Sequence, residues 1–272
     1  MTVDDSARPA ARRRWSPATR YRRSLWLLTT RDLKVRYSTS ALGYVWSILD
    51  PLVMAAIYWF VFTQIFDREV GAKPYILFLL TALLSWMWFS GAISDATRAF
   101  TREAKLIRST TIPRTIWVAR LVLSKGIEFV LAIPVLAIFF LANLNEGATL
   151  HVEALWWLLA IPMQAALTLG IGLLVAPLVV FFRDLERAVK LVLRFLFYAS
   201  PIIYGLGDLP EEFRFWGAFN PLSGIFALYR SAFFPQQLDW FAVGVSAAMT
   251  VLFLIAGYLV YRASIRRVLK EI

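Results

Sequence analysis

Residues 116–142 read IWVARLVLSKGIEFVLAIPVLAIFFLA, and this stretch decides the fold. A helix that crosses the ~30 Å hydrocarbon core of a bilayer needs about 20 mostly apolar residues. The stretch is long enough, and its charged residues are Arg120, Lys125 and Glu128. Backbone polar groups within lipid must be satisfied inside the segment itself, so the stretch predicts a membrane-spanning helix.

Five further apolar stretches predict spans of the same kind. The chain is 59% hydrophobic and only 17% charged, which is far from the composition of a soluble domain. The sequence therefore predicts an all-α integral membrane protein with six transmembrane helices and a membrane domain over residues 41–262. The predicted spans are 41–66, 75–97, 116–142, 154–182, 188–206 and 241–261.

The 29 Lys and Arg residues alternate with these apolar stretches. Ten lie in residues 8–36, seven in 98–125, four in 183–194 and four in 262–270. Basic loops of membrane proteins stay in the cytoplasm. The pattern predicts that both termini are cytoplasmic, and it accounts for the net charge of +11 without a nucleic-acid partner.

The segments outside the spans have their own patterns. Residues 1–19 predict a disordered basic tail, and residues 20–40 predict an amphipathic helix on the inner leaflet. The run LKVRY alternates like a strand, but an isolated strand would leave its backbone unpaired, so a helix is favoured. Residues 263–272 are expected to form a cytoplasmic tail. A cleavable signal peptide is not expected, so the first span directs insertion.

The stretch 213–234 reads FRFWGAFNPLSGIFALYRSAFF. It is apolar enough to enter the bilayer but is interrupted by Asn220-Pro221. A full crossing would place the basic C-terminal tail outside. We therefore predict a re-entrant pair of short helices, with an interfacial helix on the outer leaflet as the alternative.

The chemistry available to such a chain is limited. There is no cysteine, and the single histidine, His151, is expected to be solvated in an external loop, so no metal site is predicted. No P-loop sequence occurs, so ATP would have to be hydrolysed by a separate subunit. Asp50, Asp95 and Glu128 lie at or within spans. Lys125 and Glu128 either pair on one helical face or line a transport route.

Four stretches together resemble the permeases of type-2 ABC exporters of polysaccharide, which export O-antigen, teichoic acid and related cell-wall glycans. They are RDLKVRYSTSALGYVWSILDPLVMAAIYWFVFTQIF (31–66), REAKLIRSTTIPR (102–114), FRDLERAVKLVLRFLFYASPIIY (182–204) and NPLSGIFALYRSAFF (220–234). Two departures are Asp50-Pro51, where the family commonly has Asn-Pro, and Lys105, where Asn is frequent.

The resemblance implies a homodimeric permease in the bacterial inner membrane, with two copies of an ABC ATPase. ATP and Mg would bind the ATPase, and this chain would bind no cofactor. The ATPase would bind a coupling helix; the alternative for that segment is a solvated basic loop. A second contact would lie at Arg183-Asp184, where the alternative is a charge pair capping the fifth span. The coupling residues implied are Arg102, Glu103, Lys105, Leu106, Ile107 and Arg108.

The resemblance also implies a substrate route. A polyprenyl-pyrophosphate-linked glycan would enter beside Arg31, Lys34, Arg36 and Tyr37. The candidates for the channel lining are Trp46, Asp50, Tyr58, Glu128, Phe197 and Tyr198. An external gate would contain Asn220, Pro221, Tyr229 and Arg230.

Two other functions stay open from the sequence. The first is a type-2 exporter of a drug or lipid, which would have the same topology. The second is an integral-membrane transferase acting on lipid-linked sugars, which needs paired carboxylates or a histidine base at one membrane face. Its acidic cluster would be Asp208, Glu211 and Glu212, and no histidine accompanies it in the sequence.

Overall fold

The computed structural model describes residues 16–38, 43–65 and 71–272, and no strand occurs among them. The predicted all-α fold is therefore confirmed. A π-helical segment, Phe60–Ile65, continues the second helix. The α-helices are α1 (Pro17–Ser38), α2 (Trp46–Trp59), α3 (Tyr75–Ala96), α4 (Ala104–Ser109), α5 (Ile116–Ala142), α6 (Trp157–Phe181), α7 (Leu185–Ala199), α8 (Glu211–Ala218), α9 (Ser223–Arg230) and α10 (Trp240–Glu271).

Four of the described helices are long and apolar enough to cross a membrane: α3, α5, α6 with the turn before it, and α10. The ends of α3 and α5 agree with the predicted spans 75–97 and 116–142 to within one residue. In contrast, α10 continues to Glu271, through the predicted cytoplasmic tail. Since α2 and α7 are shorter, the count of six crossings stays a prediction.

The helix in the predicted span 188–206 is shifted toward the N-terminus. The helix begins at Leu185 and ends at Ala199, because Ser200 precedes Pro201. Ser200 has φ −93° and ψ 147°, the extended conformation that proline imposes on the residue before it. At 1.5 Å per residue, the 15-residue helix is about 22 Å long.

The first helix starts earlier than predicted, because Pro17 opens it and residues 17–19 are helical rather than disordered. Its buried side includes Leu28 and Leu33, while Trp26 and Leu27 are exposed. Residues 1–15, 39–42 and 66–70, together with the side chain of Tyr37, lie outside the described part of the chain.

The core surrounds α3, whose residues Leu77, Phe78, Leu79 and Leu80 are completely buried. Four consecutive buried residues point in all directions around a helix, so α3 is covered on every side. Helices α6 and α10 approach closely at two glycines. A Cβ added to Gly257 would lie 1.9 Å from the carbonyl oxygen of Gly170.

Candidate functional site: the charged face of α1, α4 and α5

Four charged side chains join α1 to α5 and to the segment before α4, and we call them the inner network: Arg31, Asp32, Glu103 and Arg120. Arg31 Nη2 lies 2.5 Å from Glu103 Oε1. Arg120 donates to both carboxylate oxygens of Asp32, and its Nη2 lies 3.6 Å from Glu103 Oε1. Two cations and two anions balance each other, as a buried charge cluster requires.

Arg120 is the most deeply placed member of the inner network. Its side chain is only 3% exposed. Its guanidinium carbon lies 5.1 Å from the centroid of the Trp117 ring, within the range of a cation–π contact. In the sequence Arg120 is one of seven cations in a basic patch, and neither its burial nor its pairing with Asp32, 88 residues away, was predicted.

A second group of ion pairs lies four residues further along α1. Arg36 Nη2 is 2.7 Å from Asp95 Oδ2 on α3, and its Nη1 is 2.9 Å from Glu128 Oε1 on α5. Lys125 Nζ lies 2.7 Å from Glu128 Oε2, so the pair on one helical face is confirmed. Two of the predicted substrate-contacting cations, Arg31 and Arg36, are therefore held by carboxylates, while Lys34 is exposed.

The segment predicted to couple to an ATPase forms the helix α4, and its residues differ in burial. Ile107 is completely buried against the chain's own core, so it is not available as an exposed anchor for another subunit. Leu106 is partly buried, whereas Arg102, Lys105 and Arg108 are exposed. A partner that docked on α4 would meet mainly these cations.

Arg183 and Asp184 are both exposed in the turn between α6 and α7. Asp184 stands at the N-cap of α7, and its side chain makes no capping hydrogen bond there. The neighbouring Glu186 instead binds Arg98 and Lys190, with Arg98 Nε at 2.9 Å and Lys190 Nζ at 2.8 Å. These hydrogen bonds, from Arg98 first and Lys190 second, lower the pKa of Glu186 to about 2.

Two cavities share the side chain of Arg36. The first cavity, of about 650 Å³, opens among α1, α3, the segment before α4, α5 and α7. The second cavity, of about 360 Å³, lies among α1, α2, α3 and α5 and contains three of the predicted channel residues, Trp46, Asp50 and Glu128. The charged residues of the first cavity are Arg31, Asp32, Arg36, Asp95, Arg98, Arg102, Glu103, Arg120 and Lys190.

The other predicted channel residues line a third cavity, of about 340 Å³, between α2, α3 and α7. Tyr58 and Phe197 have ring centroids 5.7 Å apart, and those of Phe197 and Tyr198 are 5.2 Å apart. Phe197 is buried, whereas Tyr198 is 61% exposed. The predicted channel residues therefore fall into two separate groups.

The predicted gate residues are structural supports in this conformation. Asn220 donates to Ser200 Oγ at 2.7 Å and accepts from the backbone N–H of Leu222, across Pro221. Tyr229 and Arg230 are buried. Arg230 donates to the carbonyl oxygens of Ile202 (2.6 Å), Tyr204 (3.3 Å) and Phe78 (3.3 Å), and thereby connects α9, the end of α7 and α3.

The described residues hold no group of three His, Cys, Asp or Glu side chains that could bind a metal ion. His151 Nε2 forms a 2.7 Å hydrogen bond with Thr149 Oγ1. Asp208, of the acidic cluster considered for a transferase, accepts backbone hydrogen bonds from Gly71 and Gly205. That carboxylate therefore has a structural role in the loop.

Four long apolar helices and ion pairs buried between helices define a polytopic helical membrane protein. The sequence matches the family described as ABC-2 type transporter over residues 23–234, and the chain belongs to that family. The recognition made from the four sequence stretches is thereby confirmed.

Several curated proteins resemble the chain along most of its length. An O-antigen export system permease protein RfbA of Klebsiella pneumoniae is 33% identical over 87% of this chain and 90% of the relative. The protein of the same name from Myxococcus xanthus is 27% identical over 89% and 93%. The polysialic acid transport protein KpsM of Escherichia coli is 26% identical over 86% and 91%.

Proposed function

We propose that this chain is the permease of an ATP-driven exporter that moves a polyprenyl-pyrophosphate-linked polysaccharide from the cytoplasmic leaflet across the bacterial inner membrane. One observation carries the proposal: relatives that cover most of the chain are named for the export of O-antigen or the transport of polysialic acid. The family membership supports a transport role rather than an enzymatic one.

In this proposal two permeases form a homodimer with two ATPase subunits, which bind ATP and Mg. Six crossings leave both termini in the cytoplasm, and α8 and α9 form the re-entrant pair on the outer side. The ATPase docks on the exposed cations of α4, Lys105 and Arg108, with Arg183 as a second contact. The buried Ile107 holds α4 to the permease instead of contacting the ATPase.

The substrate's diphosphate enters at the first cavity, where arginines predominate. Guanidinium groups bind phosphate oxygens in bidentate geometry, which favours them over ammonium groups for this task. The sugar chain then passes the aromatic surface of the third cavity, formed by Tyr58, Phe197 and Tyr198. Flat aromatic rings contact the apolar C–H edges of sugars without a specific hydrogen-bond pattern.

Depletion of the chain in its native cells tests the proposal. Complete lipid-linked polymer should accumulate on the cytoplasmic leaflet, and re-expression of the wild-type chain should restore export. Accumulation of a shortened polymer would instead indicate a transferase. Normal polysaccharide at the surface, together with loss of resistance to a drug, would favour the exporter of small molecules.

A further inference from the structure

The first cavity has more cations than carboxylates, and the carboxylates already form ion pairs with some of the cations. It is lined by six cations, on α1, α5, α7 and the segment between α3 and α4, and by the three carboxylates Asp32, Asp95 and Glu103. Its volume of about 650 Å³ lies within the range of about 300–1,000 Å³ that is typical of small-molecule sites. The charge suits an anion that is small and highly charged.

The cations differ in how easily a ligand could reach them. The side chains of Arg31 and Arg36 are 37% and 28% exposed, whereas that of Arg120 is 3% exposed. Arg102 also lines the cavity, and within the described ranges its side chain forms no ion pair. Arg98 and Lys190 are 58% and 50% exposed, but both already bind Glu186 outside the cavity lining. An anion would therefore contact Arg31, Arg36 and Arg102 first, while Arg120 would stay buried in the core.

The accessible arginines of α1 attach this helix to its neighbours, in addition to the buried pair of Asp32 with Arg120. Arg31 binds Glu103, which stands immediately before α4, and Arg36 binds Asp95 near the end of α3. A phosphate that took donors from these guanidinium groups would compete with the two carboxylates. Charge-assisted bonds to phosphate are at least as strong as those to carboxylate, so such an exchange is feasible.

We propose that the first cavity binds a diphosphate ester in competition with Glu103 and Asp95, so that loading of the substrate releases α1 from α3 and from the segment before α4. This inference rests on the proposed function and adds to it a conformational change that reports substrate binding. A ligand shifts an equilibrium only through its different affinity for two states. Here the difference arises because the attached state uses the same guanidinium groups as the ligand.

The coupling is reciprocal, and this gives the test its direction. Weakening the attachment of α1 must strengthen ligand binding, by up to the same factor while the attached state predominates. Glu103→Gln and Asp95→Asn keep the shape and a hydrogen-bond acceptor but remove the competing charge. We expect each variant to bind a diphosphate at least about fivefold more tightly, the lower end for coupled sites. Arg36→Gln should bind it more weakly.

The experiment uses the full-length permease with its ATPase in nanodiscs. Binding is measured with inorganic pyrophosphate and with nanodiscs that contain a polyprenyl diphosphate lipid. Nanodiscs with phosphatidylglycerol as their only anion control for general charge attraction. Glu212→Gln is the matched variant, because it removes one exposed negative charge on α8, away from the cavity. Gel filtration verifies that each variant is folded.

A second readout follows the position of α1 directly. The chain has no cysteine, so Leu27→Cys on α1 and Ser109→Cys on α4 introduce two unique labelling sites. The distance between spin labels at these exposed positions should lengthen or broaden when the diphosphate is added. The same change should occur without ligand in the Glu103→Gln background.

Several outcomes would overturn the inference. They are an unchanged affinity in both acid variants, an equal gain with Glu212→Gln, an equal gain for phosphatidylglycerol alone, or wild-type protein that binds neither diphosphate probe. Tight binding of the lipid but not of free pyrophosphate supports the inference and assigns recognition to the lipid-linked form. Export of polymer could also persist in variants whose affinity for diphosphate is unchanged. That result would refute the competition but leave the proposed function intact.

Discussion

Replacing Gly257 by Ala tests how closely α6 and α10 must approach. The added Cβ would lie 1.9 Å from the carbonyl oxygen of Gly170, and real contacts of this kind stay above 3.0 Å. The obstacle is a backbone atom, so no side-chain rotation relieves it and the helices must separate by about 1 Å. Small residues that allow such contacts are typical of packed membrane helices.

The magnitude follows from a comparison with Gly244→Ala on the same helix. A Cβ at Gly244 meets nothing within 4 Å. Both substitutions gain the same helix propensity of about 1 kcal/mol, so this contribution cancels between them. The remaining difference is the cost of overpacking, about 1–3 kcal/mol. We expect Gly257→Ala to be the less stable variant by this amount.

The assay is thermal unfolding of the detergent-purified chain, followed by gel filtration of the fraction that stays folded. A difference of 1 kcal/mol corresponds to about 2–4 °C in Tm for a chain of 150–250 residues. Gly244→Ala should melt about 2–4 °C above the wild-type temperature, and Gly257→Ala should melt about 2–12 °C below Gly244→Ala. Equal melting temperatures for the two variants would refute the close contact between α6 and α10.

Three further predictions concern α4, Glu186 and Arg230. Ile107→Asp should prevent folding because it buries a charge, whereas Lys105→Glu should fold normally and lose stimulated ATP hydrolysis in the reconstituted complex; the reverse result would contradict the assignment of the two faces of α4. Because the pKa of Glu186 is lowered to about 2, its ion pairs stabilise the fold fully above the ordinary glutamate pKa of about 4.3 and lose this effect as the pH falls toward about 2. The Tm of wild type should therefore exceed that of Glu186→Gln by less and less over that interval. A constant difference in Tm would show that the pairs do not form. Arg230→Lys keeps the charge but not the fork that reaches three carbonyls, so it should cost about 1–3 kcal/mol in a melting assay, while the exposed Arg214→Lys should cost less than 0.5 kcal/mol.

The sequence predicted those features that depend on neighbouring residues, such as helix ends, pairs within one helix and interruptions by proline. The ends of α3 and α5 follow from continuous apolar runs. The Lys125–Glu128 pair follows from a spacing of three residues. The interruption by Asn220-Pro221 separates α8 from α9 as expected, although the depth of this pair in a membrane stays a prediction.

Contacts between distant parts of the chain were not predictable from one sequence. Arg36 meets Glu128 across 92 positions, and Arg120 meets Asp32 across 88. A basic patch indicates orientation but does not reveal which of its cations is buried, because burial depends on how the helices pack. The same limitation explains why the sequence did not reveal that Ile107 and Arg230 are buried.

The bonds of Arg230 have a consequence for how the chain is made. The non-helical residues after α7 expose backbone oxygens, and Arg230 supplies hydrogens to two of them, at Ile202 and Tyr204. Arg230 is synthesised 28 residues after Ile202 and 26 residues after Tyr204. The segment after α7 therefore receives these hydrogen bonds only after α9 has been synthesised.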